Sequence, residues 1–350
     1  MFTQSSRRPD SWTGKTMSVL RANQLEACEK DLASLPFLCL FDAECTDADA
    51  ETFYSLSFFP NEDRRNGLFS LHTVEELRVR VLSSFAAELG LLSPEEHELL
   101  VRLVLFGGRL ALQDWEEVLP ARGLVRRLWC RTREEDGGRF IYMPHQLCTT
   151  ALLLLAGDSH KKIRDAVDTV QESIDNTLYL MGMMQAAGPQ IHLQSLLRDT
   201  CAENRPELIE RMFLSGCSHV YDKAGRLMLI HPGLADPERM LRQLPAAAAA
   251  CQEMSEDALR TASDSLNDLE NPLYEQMLFS MMNAVRPELT AEDAVEDLMI
   301  LAKQDVPPED MKEVLSSQLV SLPTPEMLKA LQNLSSRVPR WIWFSSSRVQ

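Results

Sequence analysis

Residues 93–146 read SPEEHELLVRLVLFGGRLALQDWEEVLPARGLVRRLWCRTREEDGGRFIYMPHQ. Ser93 with Glu96 has the spacing of a capping box, and apolar residues at helical spacing follow it. Gly107-Gly108 predicts the end of this helix, because glycine accepts the left-handed backbone that closes a helix. Arg109 to Leu112 then reads as a short extended piece. This part of the chain therefore begins with a helix and a short strand.

The rest of the same stretch predicts two short helices and a hairpin. The helices are expected at 113–119 and, after Pro120, at 121–129. Extended runs at 129–133 and 139–143 flank Asp136-Gly137-Gly138, residues that supply the positive φ of a tight turn. Helix, short strand, two helices and hairpin is the element order of the winged helix-turn-helix. The sequence resembles that superfamily here, over a single module.

The same order recurs further along the chain. Its predicted elements are a helix at 168–187, an extended piece at 190–193, helices at 194–200 and 207–214, and extended runs at 218–221 and 226–230. Side by side, 109–113 matches 190–194, and 140–144 matches 228–232. The predicted fold class is mainly α with short β-hairpins (α+β), with tandem winged-helix modules followed by an acidic helical bundle.

Charge supports a division of the chain. The formal net charge is -17, and residues 236–336 contribute 19 acidic against 7 basic side chains. We expect six segments: a flexible leader (1–18), a mostly helical N-terminal region (19–92), two winged-helix modules (93–158 and 159–236), an acidic helical bundle (237–336) and a basic aromatic tail (337–350).

Several classes of protein are disfavoured by the sequence. No apolar run reaches the roughly 18 residues of a membrane helix, and the polar start lacks the apolar core of a secretory signal, so we expect a cytoplasmic protein. The eight cysteines are scattered without a close pair, which argues against a disulfide scaffold or a metal site. Asp158-Ser159-His160 fits a helix start better than a catalytic triad. We therefore expect no enzyme, no cofactor and no metal.

An arginine cluster in the first module is the strongest signal for nucleic acid. Its members lie on the predicted recognition helix, on the hairpin and just before them: Arg109, Arg122, Arg126, Arg127, Arg131, Arg133 and Arg139. A DNA-reading winged helix needs such cations against phosphates and base edges. Acidic residues interleave with them, however, so an ordinary surface of ion pairs is the competing interpretation.

The tail carries the best candidates for contact with a protein. Trp341, Trp343 and Phe344 lie between arginines, a composition typical of interface anchors. The alternative is that the tail packs back onto the helical bundle. Methionines such as Met281 and Met282 fall at apolar helix positions, which suits a core and also an adaptable binding face.

These patterns favour a non-enzymatic adaptor or regulatory subunit that binds a protein partner, with the acidic bundle attracting a basic surface. Paired winged helices on an acidic chain resemble the accessory subunits of chromosome-structuring complexes, whose wings grip a polypeptide. The alternative is a DNA-binding transcription regulator that uses the arginine cluster. Residues 321–326 (SLPTPE) and the helical C-terminal third resemble type III secretion gatekeepers, although the all-helical body of that family leaves both predicted hairpins unexplained.

Overall fold

A computed structural model of the chain describes residues 12–33, 39–60, 63, 73–113, 117–242 and 271–341. It is mainly helical with two small three-stranded antiparallel sheets, so the α+β class is confirmed. The chain divides into two compact units. The N-terminal unit contains Gln24–Glu172 and Gln185–His219, and the C-terminal unit contains Met1–Asn23, Ser173–Met184 and Val220–Gln350. The predicted second module, 159–236, thus contributes to both units.

The elements follow one another in this order. Up to the second sheet they are α1 (Met17–Ala33), α2 (Asp47–Leu56), α3 (Val74–Gly90), α4 (Pro94–Leu105), β1 (Arg109–Leu112), α5 (Val118–Arg126), β2 (Arg131–Glu135), β3 (Gly138–Tyr142) and α6 (His145–Leu155). They continue with α7 (Asp158–Met181), β4 (Met183–Gln185), α8 (Ala187–Leu196), α9 (Pro206–Gly216), β5 (His219–Tyr221), β6 (Leu227–Ile230), α10 (Pro272–Met281), α11 (Ala291–Lys303), α12 (Pro308–Gln318) and α13 (Pro325–Arg337).

Helix starts follow the capping signals of the sequence. The Ser93 side chain accepts a hydrogen bond from the Glu96 amide, and the Ser93 amide donates one to the Glu96 carboxylate, as a capping box requires. Thr73, Thr290 and Thr324 cap α3, α11 and α13 in the same way. The helix start predicted at Ser93 is confirmed.

The first sheet has the strand order β1-β3-β2, with β3 in the middle. Ile141 of β3 lies opposite Leu110 of β1 and Thr132 of β2, and it is fully buried. Asp136 and Gly137 have φ values of 50° and 79°, so the two-residue turn between β2 and β3 is left-handed as its sequence predicts.

The second sheet has the matching order β4-β6-β5. One predicted element is wrong here: residues 190–193, expected to be extended, lie within α8, and the first strand is Met183–Gln185. Pro189 was interpreted as a helix stop, but it occupies the first turn of α8, where proline removes no helical hydrogen bond.

A glycine precedes the first strand of each sheet. Gly108 has φ of 88° and Gly182 has φ of 74°. The carbonyl of Gly108 accepts a hydrogen bond from the Met143 amide, and that of Gly182 accepts one from the His231 amide, both at 2.8 Å. Both donors follow the central strand of their sheet. The two sheets therefore have the same strand order, and each contains an equivalent hydrogen bond at this position.

Each unit has its own core. In the N-terminal unit, Phe85 and Trp129 pack edge to face with their ring centroids 4.7 Å apart. In the C-terminal unit, α10 to α13 bury a separate apolar cluster, against which Trp12 packs. Of the leader predicted at 1–18, residues 12–18 are ordered: the Ser18 hydroxyl and amide both donate to the Asp297 carboxylate. Residues 1–11 lie outside the described residues.

Candidate functional site

Most of the arginine cluster is paired with groups of the N-terminal unit. The guanidinium of Arg109 lies 3.2 Å from Glu135, Arg131 lies 2.8 Å from Asp42, Arg133 lies 3.5 Å from Glu135, and Arg139 lies 3.4 Å from Glu29 and 3.3 Å from Glu134. The hydrogen bond from Tyr142, followed by the hydrogen bond from Arg109 and the charge of Arg133, lowers the pKa of the Glu135 carboxyl from its usual range. The hairpin surface thus carries ion pairs.

Arg127 does not lie on a nucleic-acid-facing surface. Its side chain is fully buried, and it contacts two carboxylates that are equally buried. Nη1 lies 2.7 Å from Glu96, and Nε lies 3.1 Å from Glu88. Arg127 follows the apolar positions Ala121, Leu124 and Val125 along α5, so it continues the face that packs inward. Its position on that stripe is the signal that sequence reasoning missed.

The buried ion pairs form a network across four helices. Arg211 of α9 donates to Glu88 of α3 at 2.9 Å, on the oxygen that the Ser84 hydroxyl also approaches. Nη2 of Arg127 donates to the Ser215 hydroxyl at 2.9 Å, and that hydroxyl donates to Glu96 of α4 at 3.2 Å. Two arginines and two glutamates therefore neutralise one another inside the unit.

The other two arginines of α5 are half-buried. Arg126 places its guanidinium 4.3 Å from the ring centroid of Phe58, a cation–π distance. Arg122 lies one turn earlier on the same helix. The most exposed side chains of the predicted cluster are Arg109 and Arg133, at 55% and 53%.

A groove of about 460 Å³ runs beside the first hairpin. Its lining includes Glu29, Glu134, Glu135, Asp136 and Arg139. The lining holds four carboxylates and one guanidinium, and Glu135 also pairs with Arg109 and Arg133. These charges leave a small net negative charge, which does not attract a phosphate backbone.

The tail packs back onto the C-terminal unit through Trp341. This side chain is fully buried, its indole Nε1 donates to the Tyr179 carbonyl at 3.0 Å, and its amide donates to the Lys303 carbonyl at 2.9 Å. Arg340, the residue before Trp341, forms an ion pair with Asp305 at 2.9 Å. Trp341 is therefore a core residue, whereas Trp343 and Phe344, the other predicted partner contacts, lie outside the described residues.

The residues around Trp341 include a buried lysine. The ammonium of Lys303 lies 4.0 Å from the ring centroid of Tyr179, and the residue is 1% exposed. Burial lowers the pKa of Lys303 to about 7 and that of the nearby His231 to about 4. The amine is thus able to lose its proton near neutral pH, as its apolar surroundings favour.

Two histidines meet in the N-terminal unit. Nε2 of His97 on α4 lies 3.1 Å from Nε2 of His160 on α7, and the rings stack. Burial, followed by the charge of Arg164, lowers the pKa of both; that of His97 falls to about 4. Arg164 itself faces Asp168, Glu95 and Glu96. The pair shares one hydrogen bond, which needs one neutral ring as acceptor.

This pair predicts that acidification destabilises the N-terminal unit. The folded His97 binds its proton with a pKa of about 4 against an ordinary 6.5, so between these values the unfolded chain binds more protons. Stability is therefore expected to be retained above pH 6.5 and lost progressively as the pH falls towards 4. Hydrogen exchange of the α4 amides at a series of pH values measures this loss.

The matched variants are His97→Gln with His160→Gln, and His145→Gln at an exposed position. The double variant at His97 and His160 is expected to flatten the pH dependence of hydrogen exchange in α4. The variant at His145 is expected to leave that pH dependence unchanged. Equal pH dependence in all three proteins would show that the histidine pair does not control it.

Exposed apolar side chains lie where α4 ends and along α6. Leu105 and Phe106 are 71% and 70% exposed, and Leu152 and Leu153 of α6 are 52% and 74% exposed. The two helices pack together, with the Cys148 thiol 3.7 Å from the Val104 carbonyl. Protein surfaces carry single exposed apolar groups routinely, whereas two large ones next to each other in the sequence are less common.

Within the described ranges, no three or more His, Cys, Asp or Glu side chains come together as metal ligands. No described helix combines the length and the apolar character needed to cross a membrane. Comparison with family models, curated proteins and solved structures finds no match to this chain.

Proposed function

We propose that this chain is a non-enzymatic adaptor or regulatory subunit that binds a protein partner through tandem winged-helix modules and its helical C-terminal region. The two sheets support the tandem arrangement. In each sheet the first strand comes after a helix, and the third strand in the chain lies in the middle. The equivalent hydrogen bonds at Gly108 and Gly182 add a second correspondence.

The observation that carries the proposal is the pair of exposed apolar groups at Leu105-Phe106 and Leu152-Leu153. Burying such side chains against a second protein removes them from water, which contributes about 25 cal/mol for each Å² of apolar surface. Aromatic side chains such as Phe106 are also enriched in protein interfaces.

A DNA-binding role receives less support from the same module. Arg127 is committed to a buried network, and the hairpin arginines already pair with carboxylates. The groove beside the hairpin is acidic, and the whole chain has a net charge of -17. A partner that lacks phosphate is therefore the better fit.

Photo-crosslinking tests the proposal. A photoreactive amino acid at Phe106 or Leu153 of the full chain, expressed in its native cells, is expected to yield one defined protein adduct. The control position is Glu51, an exposed residue of α2 that lies outside both modules and outside the C-terminal helices. Adducts of the same size from all three positions, or from none, contradict the proposal.

DNA binding provides the opposing test. We expect no change in the fluorescence anisotropy of a labelled mixed-sequence duplex on addition of the full chain at physiological salt, because the exposed cations are paired. The variant pair Arg109→Ala with Arg133→Ala removes the two most exposed arginines of the predicted cluster without touching the buried network. Binding that falls steeply with salt and disappears in this variant would support the DNA-binding regulator instead.

A further inference from the structure

The end of α10 and the segment 318–322 form one surface of the C-terminal unit. Val285 pairs with Leu319 in an antiparallel bridge, and the Val320 amide donates to the Ala284 carbonyl at 3.0 Å. Met282 lies two residues before Ala284, and Leu322 lies two residues after Val320. Because the pairing is antiparallel, both residues lie beyond the same end of the bridge. We call Phe279, Met282, Val320 and Leu322 the bridge patch.

The bridge patch is apolar and exposed to solvent. Phe279 is 64% exposed, Met282 51%, Val320 71% and Leu322 86%. The neighbouring Met277, Met281 and Leu319 are buried in the core of the same unit. Phe279 therefore lies on the outward side of α10, and Met282 follows directly after the helix, so two large apolar side chains next to each other in the fold meet water.

Three exposed carboxylates lie close in sequence to this apolar centre. Glu275 lies one turn before Phe279 on the same face of α10, Glu326 follows Leu322 by four residues, and Glu288 follows Val285 by three. Among the described residues, none of these three carboxylates forms an ion pair. Arg286 is also exposed, and its Nε donates to the Leu319 carbonyl, so three carboxylates and one guanidinium lie near the patch.

An apolar centre with a polar rim is the general composition of a protein interface. A rim with a net negative charge favours a partner of the opposite charge, because complementary charges steer the encounter and fix its register. Methionine also adapts to the shape of an apolar helix face laid against it. Residues 271–341 carry eleven acidic against six basic side chains, so the wider field has the same sign as the rim.

We propose that the bridge patch binds an amphipathic helix of a protein partner, one that carries lysine or arginine beside its apolar face. This inference rests on the proposed protein-binding function, and it assigns the surface and the chemistry of the segment that is bound. The apolar face of the helix covers Phe279, Met282, Val320 and Leu322, and its cations meet Glu275 and Glu326.

The test uses a synthetic amphipathic helical peptide of leucine and lysine, labelled for fluorescence anisotropy, with the full chain. Phe279→Ser combined with Leu322→Ser is expected to weaken binding by about tenfold or more. Val79→Ser combined with Leu82→Ser removes exposed apolar side chains from α3 of the N-terminal unit, outside both proposed binding surfaces, and it is expected to leave the affinity unchanged. Because all four side chains are exposed, circular dichroism and thermal unfolding should match those of the unmodified chain.

Charge is tested separately from apolar contact. Glu275→Lys combined with Glu326→Lys is expected to lower the affinity of the chain for the leucine–lysine peptide. The same variant is expected to raise its affinity for a leucine–glutamate peptide of the same length. Both effects should shrink as salt is raised, since exposed charges are screened.

Three outcomes would overturn the inference. One is equal affinity in the patch variant and the unmodified chain. Another is equal weakening in the Val79 and Leu82 control, which indicates non-specific adsorption of the peptide to an acidic protein. The third is a concentration-dependent dimer, seen by light scattering, that the patch variant abolishes, because the occupant is then a second copy of this chain.

The two proposals fail separately. Loss of peptide binding with intact adducts from Phe106 removes only the bridge patch. Absence of adducts from Phe106 and Leu153 with retained, patch-dependent peptide binding removes the proposed role of the N-terminal unit.

Discussion

Replacing Arg127 with alanine is expected to lower the free energy of unfolding of the N-terminal unit by about 3–5 kcal/mol. The variant leaves Glu88 and Glu96 buried without the cation that lies 3.1 and 2.7 Å from them. Arg211 still pairs with Glu88, but Glu96 then keeps only hydroxyl and amide donors. The cost arises from an uncompensated buried charge, so it exceeds the loss of one hydrogen bond.

Hydrogen exchange of the α3, α4 and α9 amides measures this effect within the N-terminal unit. Arg133→Ala is the matched control, because this arginine is 53% exposed and pairs with Glu135 at 3.5 Å. A surface pair of that kind contributes about 0–1 kcal/mol. If the two variants lost the same stability, Arg127 would not be buried in solution, and the assignment of this residue to DNA would return.

Replacing Trp341 with alanine is expected to destabilise the C-terminal unit by about 3–5 kcal/mol. The indole is fully buried among Tyr179, Met240 and Ile300, and it satisfies the Tyr179 carbonyl through Nε1. Its removal leaves a cavity and an unsatisfied carbonyl together. Hydrogen exchange of the β6 amides should rise, while that of β3 in the N-terminal unit should stay constant.

Gly182→Ala tests the same packing from the opposite side. A Cβ at Gly182 would lie 2.6 Å from the Trp341 ring and 2.7 Å from Met240. Gly225 has nearly the same φ, 76° against 74°, but nothing lies within 4 Å of its Cβ position. Gly225→Ala therefore reports backbone strain alone, roughly 1–2 kcal/mol. An equal loss of stability in both glycine variants would contradict the close contact with Trp341.

Local signals in the sequence predicted the helix starts well. Thr73, Ser93, Thr290 and Thr324 each cap a helix with hydrogen bonds to an amide three residues on. The Asp136-Gly137 turn followed from the same kind of reasoning, because a positive φ restricts the residues that tolerate it. These features depend on contacts within a few residues.

Proline was the source of the local errors. Pro120 was expected to separate two helices, yet α5 begins at Val118 and includes it. Pro189 led to the wrong strand at 190–193. In both cases the proline lies in the first helical turn, where its missing N–H costs nothing. Which side of a proline a helix occupies depends on what the helix packs against.

The sequence alone determined the order of helices and hairpins, the capping of the helices and the excess of acidic charge, because each depends on neighbouring residues or on composition. Only the tertiary structure decided the roles of Arg127 and Trp341. Both look like surface anchors in the sequence, and both are buried because partners distant in the chain, Glu88 for one and Tyr179 for the other, come within hydrogen-bonding or ion-pair distance. Burial is a property of the assembled unit, and residue type together with local spacing does not contain it.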